Sequence, residues 1–98
     1  MTRKVEFHPL AEEEWLAAYA WYAERSETAA RAFLREMDRA ILRISEAPER
    51  WPKYDSATRR FLLVRFPFSV IYRVATKNVE VVAVAHHKRN PGYWRDRL

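Results

Sequence analysis

Apolar residues change their period twice along this chain, and the changes mark out its elements. From Lys4 to Phe7 polar and apolar residues alternate, as in a strand with one buried face. His8-Pro9 then punctuates the pattern, and Pro9 suits a first helical position. Trp15, Tyr19, Tyr22 and Ala23 recur at helical spacing and predict the buried stripe of a helix reaching about Arg25. Glu12, Glu13 and Glu14 fall in its first turn or so, where the helix dipole favours carboxylates, so capping explains them better than catalysis does. Ser26-Glu27-Thr28 reads as a turn and N-cap. A second helix follows, with Ala30, Phe33, Met37, Ile41 and Ile44 on one apolar face and Leu34 and Ala40 beside it. It ends near Ala47-Pro48, because proline disfavours a helical residue before it. Two helices this close in sequence predict an antiparallel hairpin.

After Pro48 the period becomes that of strands. Pro48 to Thr58 is loop-like, with two prolines and the polar run Asp55-Ser56-Ala57-Thr58. Phe61-Leu62-Leu63-Val64 is apolar on both faces, as a covered central strand would be. Pro67 breaks that run, and Phe68, Val70, Tyr72 and Val74 alternate along the next strand. Thr76-Lys77-Asn78 is a turn, and Val79 to Ala85 is the last strand. The order β-α-α-β-β-β predicts an α+β domain spanning 1–98, a small antiparallel sheet packed against an N-terminal helical hairpin.

Composition narrows the function classes. Ninety-eight residues suffice for one domain with a single core. No cysteine is present, which removes disulfides and thiolate metal sites and fits a reducing cytoplasm. No apolar window reaches the length of a membrane span, and Met1-Thr2-Arg3-Lys4-Val5 runs into strand-like sequence without the apolar core of a signal peptide. A cytoplasmic protein without a membrane partner is expected. The net charge of +5 is uneven. Residues 1–52 hold 8 Lys/Arg against 10 Asp/Glu, whereas residues 53–98 hold 10 against 3. A basic half of this kind suggests a surface facing an anion, either nucleic acid or an acidic protein segment.

The candidate chemistry concentrates beyond the last strand, where His86, His87, Lys88, Arg89, Tyr93, Trp94, Arg95 and Arg97 put cations and flat rings together. Such groups serve phosphate and base recognition. The histidines suit proton transfer, Arg89 a phosphate, and Tyr93 stacking or acid–base work. The plainer alternative has His86, which shares strand parity with Val82 and Val84, as a core histidine, and Tyr93 and Trp94 folded back on the sheet edge. Lys53, Arg59, Arg60 and Arg65 bracket the first strand of the meander, where cations at both ends suit a polyanion. Arg31, Arg35, Arg39 and Arg43 recur every four residues on the second helix. Glu27, Glu36 and Glu46 stand at spacings that pair them with Arg31, Arg39 and Arg43, which predicts a solvated face; a contact surface for an acidic partner is the alternative. Gly92 is the sole glycine, so no glycine-rich phosphate loop exists, and His8, His86 and His87 lack metal spacing. Neither metal nor cofactor is expected.

Four segments in order resemble the RelE/ParE superfamily of type II toxin–antitoxin toxins, often called plasmid stabilisation proteins. They are Val5-Glu6-Phe7-His8-Pro9-Leu10-Ala11; Ile44 with Pro48, Trp51 and Pro52; Arg60 with Phe66-Pro67-Phe68-Ser69-Val70-Ile71-Tyr72-Arg73; and Ala83-Val84-Ala85-His86 with Arg89, Pro91-Gly92-Tyr93-Trp94 and Arg97. The resemblance covers nearly the whole chain. It implies a growth-inhibiting toxin neutralised by an antitoxin whose extended segment wraps around it. One branch cleaves mRNA on the ribosome without metal, and another poisons DNA gyrase. For the endoribonuclease branch the resemblance places Arg65, His86 or His87, Arg89 and Tyr93 at the site. There they would take the 2′-OH proton, hold the developing charge and protonate the leaving oxygen. Lys53, Arg59, Arg60, Lys88, Trp94, Arg95 and Arg97 would then contact nucleic acid or partner. Many nucleases of the family carry an arginine three residues before the strand tyrosine, where this chain has Ser69. That departure and the Phe-Pro turn incline the resemblance toward gyrase poisoning by binding. A non-toxic nucleic-acid-binding module is the third alternative.

Overall fold

Each helix of the chain begins at a residue whose side chain takes up a free backbone donor. The computed structural model describes residues 2–98, with Met1 outside it. Its elements are β1 (Lys4–Phe7), α1 (Pro9–Arg25), α2 (Glu27–Glu46), β2 (Arg59–Leu62), β3 (Phe68–Val74) and β4 (Asn78–His86), followed by a 3-10 turn at Arg95–Arg97. His8 opens α1 by accepting the Leu10 N–H on Nδ1, with Pro9 as the first helical residue. Ser26 closes α1 through its own N–H to the Tyr22 carbonyl and opens α2 by accepting the Ala29 N–H on Oγ. One extended residue therefore makes the whole hairpin turn, tighter than the three-residue turn expected.

The strands form one sheet in the order β1-β4-β3-β2. β2, β3 and β4 make the antiparallel meander, and β1 joins its far edge parallel to β4, so the complete sheet is mixed. A parallel partner needs a crossover, and the helical hairpin is that crossover. β2 is an edge strand rather than the central one that its double apolar pattern suggested. Leu62 is half exposed there, and Val64, just beyond the strand, lies almost wholly in solvent. The central position belongs to β3 and β4.

Both faces of the sheet are covered. On one, Val70, Tyr72, Val79, Val81 and Val84 meet Ala11, Ala18, Phe33, Met37, Ala40 and Ile44 of the helices. On the other, Ile71, Val82, Ala83 and Ala85 lie under Trp94, with Tyr54 and Tyr93 alongside. Burying a side chain such as Phe33 or Ile44 completely contributes about 1.5–3 kcal/mol. Tyr22, Phe33, Phe66 and Phe68 add a ring cluster with centroids 5.1–5.6 Å apart. In α1 Ala11 and Ala18 are buried, with Trp15, Tyr19 and Tyr22 partly buried on the same stripe; Ala23, expected on it, is exposed.

A β-bulge decides which way the end of β4 faces. Ile71 pairs with Ala83 and Tyr72 with Val81, leaving Val82 extra. The extra residue shifts the parity. Val79, Val81 and Val84 face the helices, whereas Val82, Ala83 and Ala85 face the opposite side. The parity expected for His86 is corrected accordingly: it shares a face with Val84 but not with Val82.

Candidate functional site

The most constrained polar cluster lies where β1 ends. β1 stops at Phe7, and His8 gives a last N–H to the Val81 carbonyl, so β4 has no strand neighbour on that side beyond Val81. Side chains continue the ladder. Glu14 Oε1 accepts the Val84 N–H at 2.9 Å, and Arg97 Nη1 donates to the Val82 carbonyl at 2.9 Å. Arg97 also grips both Glu14 oxygens, at 3.1 and 2.9 Å, and Tyr93 Oη donates to Glu14 Oε2 at 2.9 Å. Only 10% of the Arg97 side chain and 15% of the Glu14 side chain remain exposed. The hydrogen bond to Glu14, working against burial, raises the Arg97 pKa further above its ordinary value. Burial, then the Glu14 carboxylate, pushes the Tyr93 phenol well above its ordinary range, so it stays protonated at neutral pH. Glu14 therefore fastens the C-terminal tail to α1, a role beyond helix capping. Its signal in the sequence is a carboxylate three residues after Ala11 and four before Ala18, on the apolar side of the helix.

The tail so fastened places Arg89. Its guanidinium lies over the Tyr93 ring, 3.8 Å from the centroid, and reaches the lining of two cavities. One, of about 500 Å³, runs between α1 and the sheet, with apolar walls from Ala18, Trp21, Tyr22, Phe68 and Val84. Trp21, half exposed, forms its outer wall. The other, of about 220 Å³, opens on the opposite sheet face and gathers Arg60, Ser69, His87 and Arg89 around Tyr54 and Trp94. His86 borders both cavities, with its ring edge-on to Phe68 and its Nδ1 accepting the Lys88 N–H. His87 Nε2 shares a 3.0 Å hydrogen bond with Ser69 Oγ. Sequence reasoning noted Ser69 only for what it replaces; the β3–β4 pairing puts it within reach of His87.

The remaining candidates scatter. Arg65 sits in the β2–β3 turn with its Nε on Glu36 of α2 at 3.1 Å, and the same carboxylate accepts the Val64 and Arg65 N–H groups. Glu36 is thus engaged by the turn and not by Arg39. Arg59 donates to the Glu49 and Trp51 carbonyls and holds the Pro48–Thr58 loop in place. Lys53, exposed, bridges to Arg59 through the backbone. Arg60 stacks 5.2 Å from the Tyr54 ring centroid, and Arg95 pairs with Asp55 at 3.9 Å. Lys88 is exposed. Trp94 is a core residue, 2% exposed. Of the twelve candidates the structure thus brings together Arg60, His86, His87, Arg89 and Trp94 around the two cavities, sets Tyr93 behind Arg89, and keeps Arg65 on the helix side. No group of three potential metal ligands occurs among the described residues.

A model of the ParE toxin of type II toxin–antitoxin system parDE matches residues 5–91, nearly the whole chain. The chain belongs to the ParE toxin family. It is also similar to Toxin ParE2 of Mycobacterium tuberculosis, from strain CDC 1551 / Oshkosh and from strain ATCC 25618 / H37Rv. Each is 27% identical over 92 residues, covering 93% of this chain and 88% of the relative. Among solved structures, the chromosomal ParDE TA system from P. aeruginosa has the same fold. The TM-score is 0.73 at 19% identity, over 87% of this chain and 96% of that one. As a ParE-family protein, this chain is the toxin component of a type II toxin–antitoxin module, with an antitoxin as its partner. No helix among the described residues is long and apolar enough to cross a membrane.

Proposed function

We propose that this toxin arrests growth by binding DNA gyrase, and that its tail residues serve shape and binding instead of RNA cleavage. One observation carries this reading. The Tyr93 hydroxyl is committed to Glu14 with its pKa raised, and Arg65, tethered through Nε to Glu36 of α2, lines neither cavity, so two members of the nuclease set are out of place for that chemistry. A poison that works by binding needs complementary surface, and the apolar groove beside exposed Trp21 together with the cationic rim of Arg89 supplies it. The antitoxin is proposed to be acidic and to lay an extended segment over the basic half, masking that surface; its affinity should then fall with added salt. On this reading the toxin acts in the cytoplasm, where gyrase works.

A ribosome-dependent endoribonuclease is the second reading, favoured by the cavity that gathers Arg60, Ser69, His87 and Arg89 on the sheet face opposite the helices. Brief induction without antitoxin, followed by primer extension on a reporter mRNA and a gyrase supercoiling assay with purified toxin, separates the two. Loss of supercoiling with intact mRNA, retained in Tyr93→Phe, supports gyrase. Discrete new mRNA ends at translated codons, abolished by Arg89→Ala, would replace that reading with the nuclease one.

A further inference from the structure

The outer face of α2 carries a row of cations that neither the core nor the candidate site uses. Arg31, Arg35, Arg39 and Arg43 are all exposed, each four residues from the next. At about 1.5 Å rise per residue the row is roughly 18 Å long. Like charges at this spacing repel. Glu27, Asp38 and Glu46 stand three or four residues from row members, yet no ion pair joins any of them to the row among the described residues. Glu36, the fourth such carboxylate, is occupied by the β2–β3 turn and brings in Arg65, whose side chain is 73% exposed, as a fifth cation beside the row. The fold thus spends a carboxylate elsewhere and adds a cation where neutralisation was expected.

We propose that this α2 row, flanked by Arg65, binds the phosphate backbone of duplex DNA without regard to sequence. The guanidinium fork matches phosphate oxygens in two-point hydrogen bonds. A duplex carries one negative charge per about 1.7 Å, so roughly ten phosphates lie within the length of the row. The surface carries two exposed large apolar side chains, Leu42 and, beside Arg65, Val64, and lacks the buried aromatic anchor around which protein interfaces are built. That favours a polyanion over an acidic protein segment. The surface is separate from the cavities at the tail, and the proposal depends on neither target discussed above.

The test uses the purified full chain and a fluorescent 30-base-pair duplex of arbitrary sequence, read by anisotropy across a salt series. Four phosphate contacts give a slope of log affinity against log salt near −3.6, or roughly a 150-fold loss between 50 and 200 mM salt. Arg35→Gln/Arg39→Gln, which keeps good helix formers, is expected to flatten the slope by about 2. Arg35→Gln alone, expected to flatten it by about 1, serves if the double variant unfolds. Lys77→Gln, at an exposed residue of the β3–β4 turn outside both cavities, is expected to bind like the parent. An α2 variant that binds like the parent, or a Lys77 variant that loses the salt slope, overturns the proposal. So does equal binding to polyglutamate, which would transfer the row to an acidic protein partner.

Discussion

Replacing Glu14 with glutamine tests the tail attachment most directly. Glutamine keeps the length and one carbonyl oxygen, so the Val84 N–H can remain satisfied while the charge facing Arg97 disappears. Four donors now converge on this carboxylate: the Val84 N–H, the Tyr93 hydroxyl and two guanidinium nitrogens. Arg97 would keep its bond to the Val82 carbonyl but would hold an unpaired charge in a site where only a tenth of its side chain meets solvent. Removing one partner of a buried pair costs about 3–5 kcal/mol. The tail has an escape, because Arg97 can swing into water if Trp94 leaves its seat, and exposing a ring of that size costs about 3 kcal/mol. The smaller route sets the expectation at about 3 kcal/mol. That is a large share of the roughly 5–15 kcal/mol that holds a domain together, and it lowers Tm by about 12–24 °C at this chain length. Urea unfolding followed by tryptophan fluorescence measures it. Hydrogen exchange at residues 93–98 shows whether the tail detaches before the core. Glu14→Gln/Arg97→Met should recover part of the loss, since both charges are then gone. A cost below about 1 kcal/mol for Glu14→Gln, with unchanged exchange in the tail, would refute the reasoning.

Other perturbations have equally definite outcomes. Burial lifts the Tyr72 phenol, which donates to the Pro48 carbonyl, to about 12, and Tyr22 and Tyr93 are also raised. The stability these groups contribute is complete below the unfolded tyrosine pKa of 10.0 and is lost as pH rises through the folded values, so alkaline unfolding should begin above pH 10. Absorbance at 295 nm should accordingly show the Tyr22, Tyr72 and Tyr93 phenols ionising only above pH 10; ionisation of all three already complete at pH 10 would contradict it. Burial works against ionising Asp55, but hydrogen bonds from Ala57 and Thr58 and the charge of Arg95 outweigh it and lower its pKa. Its contribution is therefore present above pH 3.8 and fades as pH falls through the depressed value, so Asp55→Asn should destabilise at pH 7 and converge with the parent on acidification in chemical denaturation. Gly92 has φ +82°, a conformation that strains any residue with a Cβ, so Gly92→Ala should cost more than about 1 kcal/mol even though the exposed Arg95 guanidinium can swing aside; a neutral result in thermal melts would contradict this.

Much of the fold was legible along the chain because its causes are local. Pro9 and Ser26 mark helix starts, and the second helix shows its apolar face at the right spacing. The alternation in Phe68, Val70, Tyr72 and Val74 gives the inner face of β3. The ParE resemblance rested on those same segments and on the tail motif. Where the reading went astray, distant pairing had decided the matter. β2 has the composition of a covered strand but lies at an edge, since strand order depends on how the hairpin crosses the sheet. His86 changes company because one extra residue, Val82, enters β4 opposite β3, and no period along β4 alone reveals a bulge.

The sequence by itself determined the element order, the α+β class, the basic second half and the cluster of cations and rings beyond β4. Tertiary structure alone decided which of those groups are free. Tyr93 and Arg97 look available when read along the chain, yet Glu14, 79 and 83 residues away, takes them up. The physical reason lies in the unequal lengths of β1 and β4. On the side away from β3, the backbone groups of β4 beyond Val81 have no strand beside them, and a buried donor or acceptor without a partner is costly. Glu14 and Arg97 satisfy those groups, and by meeting there they pin the tail and leave Arg89 at the rim of both cavities.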